Sequence, residues 1–281
     1  MKCLINKIVA CTCRDWVFTI QTLLWGFAQT LVILTGAVFG QSESTPRQLR
    51  VMTYNIHHGE GTDERIDLER IAKVIRDARP DLVALQEVDN QTQRTGHVDQ
   101  TSELARLTKM HGLFGKQIPY EGGEYGQAIL SRFPLSTVTI HWLPGEPERQ
   151  RRIAAATVID IGSRKIVFAS THLHHQNAEF RERQAEALGD TFLNSEHHVI
   201  LVGDLNAQPD SPPLKIMERG WKSATTGLTD RLTYPSQSPQ RQLDYVLSRK
   251  RDNFTVDSSV VIDEKEASDH CPLLVQFSYP D

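Results

Sequence analysis

The stretch His198-Val199-Ile200-Leu201-Val202 runs without a break into Gly203-Asp204-Leu205-Asn206-Ala207, so an apolar segment of strand length ends on a carboxylate and an amide. A strand turns alternate side chains to one face, which places Ile200, Val202, Asp204 and Asn206 on the same side. Burying an aspartate among aliphatic neighbours is costly unless a cation or a hydrogen-bond donor meets it. Two readings stay open on this segment alone. Gly203, Asp204 and Asn206 are either the ordinary turn formers that close a strand, or the rim of a polar site.

The same pattern recurs along the chain. Val51 to Ile56 ends on Asn55, and Leu82 to Glu87 on Glu87. Ile166 to Leu173 closes on His172, Asp244 sits within Gln242 to Leu247, and Asp269-His270 precedes Cys271-Pro272-Leu273-Leu274. Each residue has a plain explanation as a turn former, a cap or a solvated end. Their shared position at strand ends is harder to explain singly, because sites in α/β proteins collect where a rigid sheet meets its loops. Asn, Glu and Asp oxygens without cysteine suit a hard cation, so Mg²⁺, or Mn²⁺ in its place, is the expected cofactor. The histidines and further carboxylates remain for proton handling, the inventory of metal-assisted phosphate hydrolysis.

Between these strands lie helical patterns. Leu68, Ile71, Ala72, Ile75 and Ala78 have helical spacing and stop at Arg79-Pro80, a second helix spans about 101 to 110 before Gly112, and Asn177 is placed to cap a third. The strands outnumber the helices, which predicts an α/β architecture with more than one sheet. No linker interrupts residues 48–281, read as one domain. The start differs in kind: Lys2, Lys7 and Arg14 precede a stretch from Trp16 to Gly40 without a charge. Residues 1–40 are expected to be a signal peptide or an uncleaved membrane anchor that contacts the bilayer through 16–40, with 41–47 a flexible linker. The protein is accordingly expected to be exported or membrane-anchored, and to be a monomer.

Composition narrows the substrate. The first 40 residues carry Lys2, Lys7 and Arg14 against Asp15, so the remainder has a formal charge of −6 where the whole chain of 281 residues has −4. An acidic domain without a long basic run is poorly suited to gripping duplex nucleic acid through phosphate contacts. Of the four cysteines only Cys271 lies beyond the leader, which excludes an intrachain disulfide and a cysteine zinc site in the domain.

Six short segments, Thr53-Tyr54-Asn55-Ile56, Leu85-Gln86-Glu87-Val88, Thr171-His172-Leu173-His174-His175, Gly203 to Ala207, Leu243-Asp244-Tyr245-Val246-Leu247 and Ser268-Asp269-His270-Cys271-Pro272-Leu273, resemble the motifs of the endonuclease/exonuclease/phosphatase superfamily, in that family's order. The resemblance implies a four-layer α-β-β-α sandwich of two mixed sheets, like that of DNase I, here preceded by a hydrophobic leader helix. It implies Glu87 as principal metal ligand with Asn55 and Asp269 near it, and Asp204, helped by Asn206, as the group that prepares the attacking water. His270, aligned by Asp244, and His172 are similar to the pair that faces the phosphoryl oxygens. Arg152 matches an arginine that bacterial members carry before a strand of small residues, where it could meet a substrate phosphate; the alternative is one exposed arginine among three. Gln127 stands where the family more often has Asn, which puts any contact of that residue in doubt. The paired histidines His57-His58 and His174-His175 are read as rim residues, with a substrate role open at His57 and His174. The expected activity is hydrolysis of a small or lipid-linked phosphodiester, the alternatives being an extracellular nuclease that scavenges phosphate and a non-catalytic binding domain of the same fold.

Overall fold

The computed structural model describes residues 47–145, 151–162 and 164–279; the leader at 1–40 and the linker residues 41–46 lie outside the described residues. Strand β1 (Arg47–Asn55) crosses through helix α1 (Leu68–Ala78) to the parallel strand β2 (Leu82–Asn90), and α2 (Gln100–Thr108) leads into the hairpin of β3 (His111–Tyr120) and β4 (Gly123–Ser131). After β5 (Ser136–Trp142) and β6 (Ile153–Ile161), the sequence of elements repeats. Strand β7 (Arg164–His172) crosses through α3 (Ala178–Phe192) to the parallel β8 (His198–Asp204), and α4 (Pro212–Met217) leads to β9 (Trp221–Ser223) and β10 (Asp244–Arg249). Strands β11 (Thr255–Val261) and β12 (Leu273–Tyr279) return to the first sheet. The sheet orders are β11-β12-β1-β2-β4-β3 and β5-β6-β7-β8-β10-β9. Each sheet is therefore centred on one parallel pair flanked by antiparallel neighbours.

The central strands are buried on both faces, which is why they read as largely apolar runs, unbroken over Leu82–Leu85 and Val199–Val202. Leu82 and Ala84 of β2, with Ile200 and Val202 of β8, fill the layer between the sheets. The intervening Val83 and Leu85 pack under Ile71, Ile75 and Leu104 of α1 and α2, and Val199 and Leu201 pack under Ala185, Leu188 and Phe192 of α3. Three apolar layers thus hold helix, sheet, sheet and helix together, the expected four-layer sandwich. Each fully buried Leu or Ile contributes on the order of 1.5–3 kcal/mol.

Local chemistry sets the helix ends. Asp67, Asp99 and Asn177 accept the backbone N–H of Arg70, Ser102 and Phe180, the N-cap arrangement. The first helix stops at Arg79, left-handed at φ 50°, just before Pro80. The second ends at Thr108 with Lys109 left-handed as its cap, two residues short of the expected end near 110. Among the described residues no helix is long and apolar enough to cross a membrane.

A polar chain runs through the otherwise apolar inter-sheet layer. The Thr53 hydroxyl donates to Gln86 Oε1 (3.1 Å), Gln86 Nε2 donates to Ser170 Oγ (3.3 Å), Ser170 donates to Gln127 Oε1 (2.8 Å), and Gln127 Nε2 donates to the Ile153 carbonyl (3.1 Å). All four side chains are fully buried or nearly so. Gln127 therefore bonds across the sheets, and its extra methylene reaches the facing strand β6.

Candidate active site

Both parallel pairs point their C-terminal ends to the same edge of the sandwich. Asn55 ends β1, His172 ends β7 and Asp204 ends β8. Asp244 begins β10, which is antiparallel to β8 and pairs residue for residue with Asp204. The 268–270 loop enters β12, antiparallel to β1, at that same edge. The sheet geometry alone thus brings Asn55, His172, Asp204, Asp244, Asp269 and His270 together.

Two placements differ from plain strand alternation. Strand β2 does not end at Glu87 but runs on to Asn90; Glu87 is the extra residue of a bulge, where pairing steps from Gln86–Gln127 to Val88–Gly126, and its φ is 58°. A bulge re-aims one side chain, and here the carboxylate turns into the cleft. Asn206 lies beyond the end of β8 at φ 47°. Its N–H donates to Asp204 Oδ1 (2.7 Å), so the turn and the polar site coexist in the same residues. Gly203 is required: a Cβ there would lie 1.8 Å from the Thr171 carbonyl oxygen of the adjacent strand.

The resulting cleft has a volume of about 450 Å³ and is lined by Glu87, Arg152, His172, Asp204, Asn206, Asp269 and His270 among others. At its floor, Asn55 Nδ2 donates both to Glu87 Oε1 (3.0 Å) and to Asp204 Oδ2 (3.2 Å). His270 Nδ1 meets Asp244 Oδ2 at 2.8 Å, while its Nε2 faces Asp204 Oδ2 at 3.8 Å. His172 Nε2 lies 3.5 Å from the same Asp204 oxygen. The Asn206 amide settles the His172 tautomer. Its Nδ2 donates to the Leu173 carbonyl (3.2 Å), which can only accept, and the same Nδ2 faces His172 Nε2 at 3.0 Å. Nε2 is then the acceptor, and the proton sits on Nδ1, which is buried and has no partner among the described residues.

The electrostatics separate the two histidines. Burial, followed by the charge of Arg152, holds His172 well below the ordinary histidine value, so it is neutral. Burial also opposes a charge on His270, but Asp244 outweighs it by charge and hydrogen bond, with help from Asp204, and raises His270 to about 10. His270 is an imidazolium across the neutral range. Desolvation lifts Asp204 to about 7, the neighbouring His270 holding it down and Asp244 pushing it up.

The donor set fits a hard divalent cation: Glu87, Asp204 and Asp269 offer carboxylate oxygens around one cleft, without a thiolate. Asn55 as placed gives its Oδ1 to the His57 N–H (3.1 Å), so it would offer oxygen to an ion only after its amide turns over. Asp204, Asp244 and His270 also bring ligand atoms within 4.8 Å of one another, as do His57, His58 and Glu87. In the first group the hydrogen bond between Asp244 Oδ2 and His270 Nδ1 holds the histidine in its cationic form, which cannot ligate a metal.

A model of the endonuclease/exonuclease/phosphatase family matches residues 52–270. The chain belongs to that family. Protein YbhP of Escherichia coli K12, itself uncharacterized, is 25% identical over 239 residues, covering 80% of this chain and 94% of its own. Protein cwh43 of Schizosaccharomyces pombe is 25% identical over 218 residues, 75% of this chain but 22% of that protein. Among solved structures, the endonuclease/exonuclease/phosphatase of Beutenbergia cavernae superposes with a TM-score of 0.68 at 27% identity, covering 83% of this chain and 72% of that one. Endonuclease/exonuclease/phosphatase proteins hydrolyse phosphoester bonds, and this chain is an enzyme of that class.

Several cleft residues of this family member escaped sequence reasoning. Tyr125, Tyr234 and Arg241 all line it, beside His175, which the sequence reads as a rim residue. Tyr234 packs its ring 4.8 Å from that of His270. None of Tyr125, Tyr234 and Arg241 ends an apolar strand, so no hydrophobic pattern pointed to them. Arg152, one of three arginines in sequence, is 3% exposed rather than a surface residue. Its Nη2 faces His175 Nδ1 at 3.3 Å, while Nε and Nη1 have no partner among the described residues. His174 is buried instead of lying on the rim, its Nδ1 accepting the N–H groups of Gln176 and Asn177. His57 stands beside His58 and Glu87 and is not part of the cleft lining.

Proposed function

We propose that the protein is a Mg²⁺-dependent phosphodiesterase that acts on a small or lipid-linked phosphoester. The observation that carries the reading is the placement of Asp204: a buried carboxylate 3.8 Å from an imidazolium that Asp244 supports, in a cleft that also holds Glu87 and the partly unpaired guanidinium of Arg152. In this reading Asp204 takes the proton of the attacking water, and Asn206, bonded to Asp204 through its N–H, fixes the carboxylate's orientation. His270 donates to a phosphoryl oxygen as charge grows there, and Asp244 holds it in position and in its cationic form. His172 faces the same phosphoryl group as a neutral imidazole, its Nε2 against the Asn206 amide. Arg152 directs its free N–H groups to a non-bridging oxygen. Glu87 and Asp269, with Asn55 after an amide turn, would hold the divalent ion, which when bound supplies Lewis-acid neutralisation of phosphoryl charge.

The acidic domain and the uncharged stretch at 16–40 support a small or lipid-linked substrate and an exported or membrane-tethered location. The test uses the purified full-length protein with bis-p-nitrophenyl phosphate, phospholipid vesicles, and single-stranded and duplex DNA, each with added Mg²⁺ and with EDTA. Turnover of the diester or lipid that EDTA abolishes and Mg²⁺ restores is the expected result. Robust DNA cleavage without turnover of the other substrates overturns the substrate class, and activity undiminished in EDTA overturns the metal requirement.

A further inference from the structure

Beside the cleft lies a second cavity of about 190 Å³ that shares Glu87, Tyr125 and Arg152 with it and extends past Gln117 and Tyr120 to Arg94. Strand register explains how it forms. On the β2 side of β4 the bulge leaves Glu87 unopposed at the level of Gly126. On the β3 side the pairing steps from Lys116–Gly126 to Ile118–Tyr125, which leaves Gln117 unopposed at the same level. Two bulges thus flank one glycine, and each turns a polar side chain into the adjoining cavities. Gly126 itself permits the close approach, since a Cβ there would lie 2.1 Å from the Gly115 carbonyl oxygen.

Two polar side chains of this cavity, Gln117 and Arg152, carry atoms without a partner among the described residues. Gln117 is 3% exposed, yet neither its Oε1 nor its Nε2 has a hydrogen-bond partner among the described residues, and the Nε and Nη1 of Arg152, likewise without one, belong to a side chain buried to the same degree. Buried polar groups are nearly always satisfied, so a donor–acceptor amide and a guanidinium left open beside a catalytic cleft mark a place for a ligand's own polar atoms. Arg94 does not add a free charge, because Asp89 binds it through two hydrogen bonds of 2.7 and 2.8 Å. A second phosphate group therefore finds no unmatched cation beyond Arg152. An acyl chain finds little apolar wall, with Ile118 the one aliphatic residue of the lining. A flat base finds no parallel slot: the Tyr120 and Tyr125 rings are tilted 58° at 6.2 Å, and Arg94 already covers Tyr120 at 4.7 Å.

We infer that this cavity binds a polyhydroxylated ring, a sugar or a cyclitol, esterified to the phosphate that the adjoining cleft attacks. Hydroxyls both donate and accept, as the Gln117 amide does, and the C–H face of such a ring suits a tyrosine wall. The link to turnover rests on the phosphodiesterase reading, so binding and hydrolysis are measured apart. In calorimetry on the full-length protein with Mg²⁺, glucose 1-phosphate should bind at least about tenfold more tightly than methyl phosphate, the value of one or two added hydrogen bonds. Gln117→Leu should remove that preference. Tyr120→Ala, at a position already exposed on the surface, should weaken it about threefold without threatening the fold. Turnover of methyl p-nitrophenyl phosphate, which leaves the cavity empty, should stay within about twofold of wild type in both variants. Equal affinities in the wild type, a preference retained in both variants, or tighter binding of thymidine 5′-phosphate than of glucose 1-phosphate would each overturn the assignment. A retained preference for glucose 1-phosphate in a protein that fails to cleave the methyl diester would uphold the cavity and reject the phosphodiesterase reading.

Discussion

Asp244→Asn isolates the electrostatic support of His270 with little change of shape. In the native protein His270 is raised from the ordinary 6.5 to about 10 against a burial penalty, with Asp244 the leading cause of the rise. A displacement of that size corresponds to roughly 5 kcal/mol in favour of the imidazolium. If Asp244 supplies about half, its neutralisation costs roughly 2–3 kcal/mol of cation stabilisation, on the order of a hundredfold in kcat/KM near pH 8. The pH profile is the sharper readout. Asp204 must be ionised, which occurs above about 7 in the protein alone and lower with a cation bound. His270 must be protonated, which holds up to about 10. The wild type should therefore keep a broad plateau between these limits. In the variant burial acts on His270 with less opposition, so the alkaline limb moves down towards the ordinary histidine value and the plateau narrows sharply. Stability follows the same sign: because the folded value is raised, the pair's contribution is fully present below about pH 6.5 and is lost as pH rises through about 10. The melting difference between wild type and variant should shrink accordingly at high pH. The assay is kcat/KM for bis-p-nitrophenyl phosphate from about pH 6 to 10, with thermal melts over the same range. An Asp244→Asn enzyme within about threefold of wild type, with its alkaline limb unmoved, would refute the assigned role of the pair.

Arg152→Met should lower kcat/KM by about a hundredfold, as expected when a charge-assisted contact to phosphate is removed. Its melting temperature should hold or rise, since a buried cation with unpaired N–H groups is lost; a steady-state and melting comparison checks both. Gly203→Ala should cost at least about 4 kcal/mol or prevent folding, because its Cβ has no room beside the Thr171 carbonyl; recovery of a soluble variant with native urea stability would show otherwise. Gln127→Leu should cost about 1–3 kcal/mol in urea unfolding by leaving Ser170 and the Ile153 carbonyl short of one partner.

Double-sided burial makes the central strands largely apolar, unbroken over Leu82–Leu85 and Val199–Val202 and interrupted by buried Thr53 in β1 and Ser170-Thr171 in β7, and such segments announce themselves in sequence as strands whose last polar residue is conspicuous. That is why Asn55, His172 and Asp204 were legible. Asp244 and Asp269-His270 were legible for a related reason, standing just before an apolar strand that enters the same edge. Glu87 was found as a residue but not as a conformation: a bulge depends on the register of β2 against β4, and register is a relation between two segments that neither carries alone. The burial of Arg152 was hidden for the same kind of reason, because a charged run reads as solvated until the fold closes over one member. Tyr125 and Gln117 sit on the hairpin of β3 and β4, where glycines and a proline blur the pattern, and their meeting with Arg152 crosses from one sheet to the other.

The buried chain from Thr53 through Gln86, Ser170 and Gln127 to the Ile153 carbonyl has a mechanical consequence. Glu87 and Asn55 ride on one sheet; Arg152, His172, Asp204 and Asp244 ride on the other. Aliphatic packing resists separation of the sheets but is nearly indifferent to a small sideways slip, since its attraction has no direction. Hydrogen bonds have direction, and a slip of one ångström would break this chain at several links. It works as a detent between two sliding plates, and it keeps two half-sites on different plates aligned to the tolerance that phosphoryl chemistry demands.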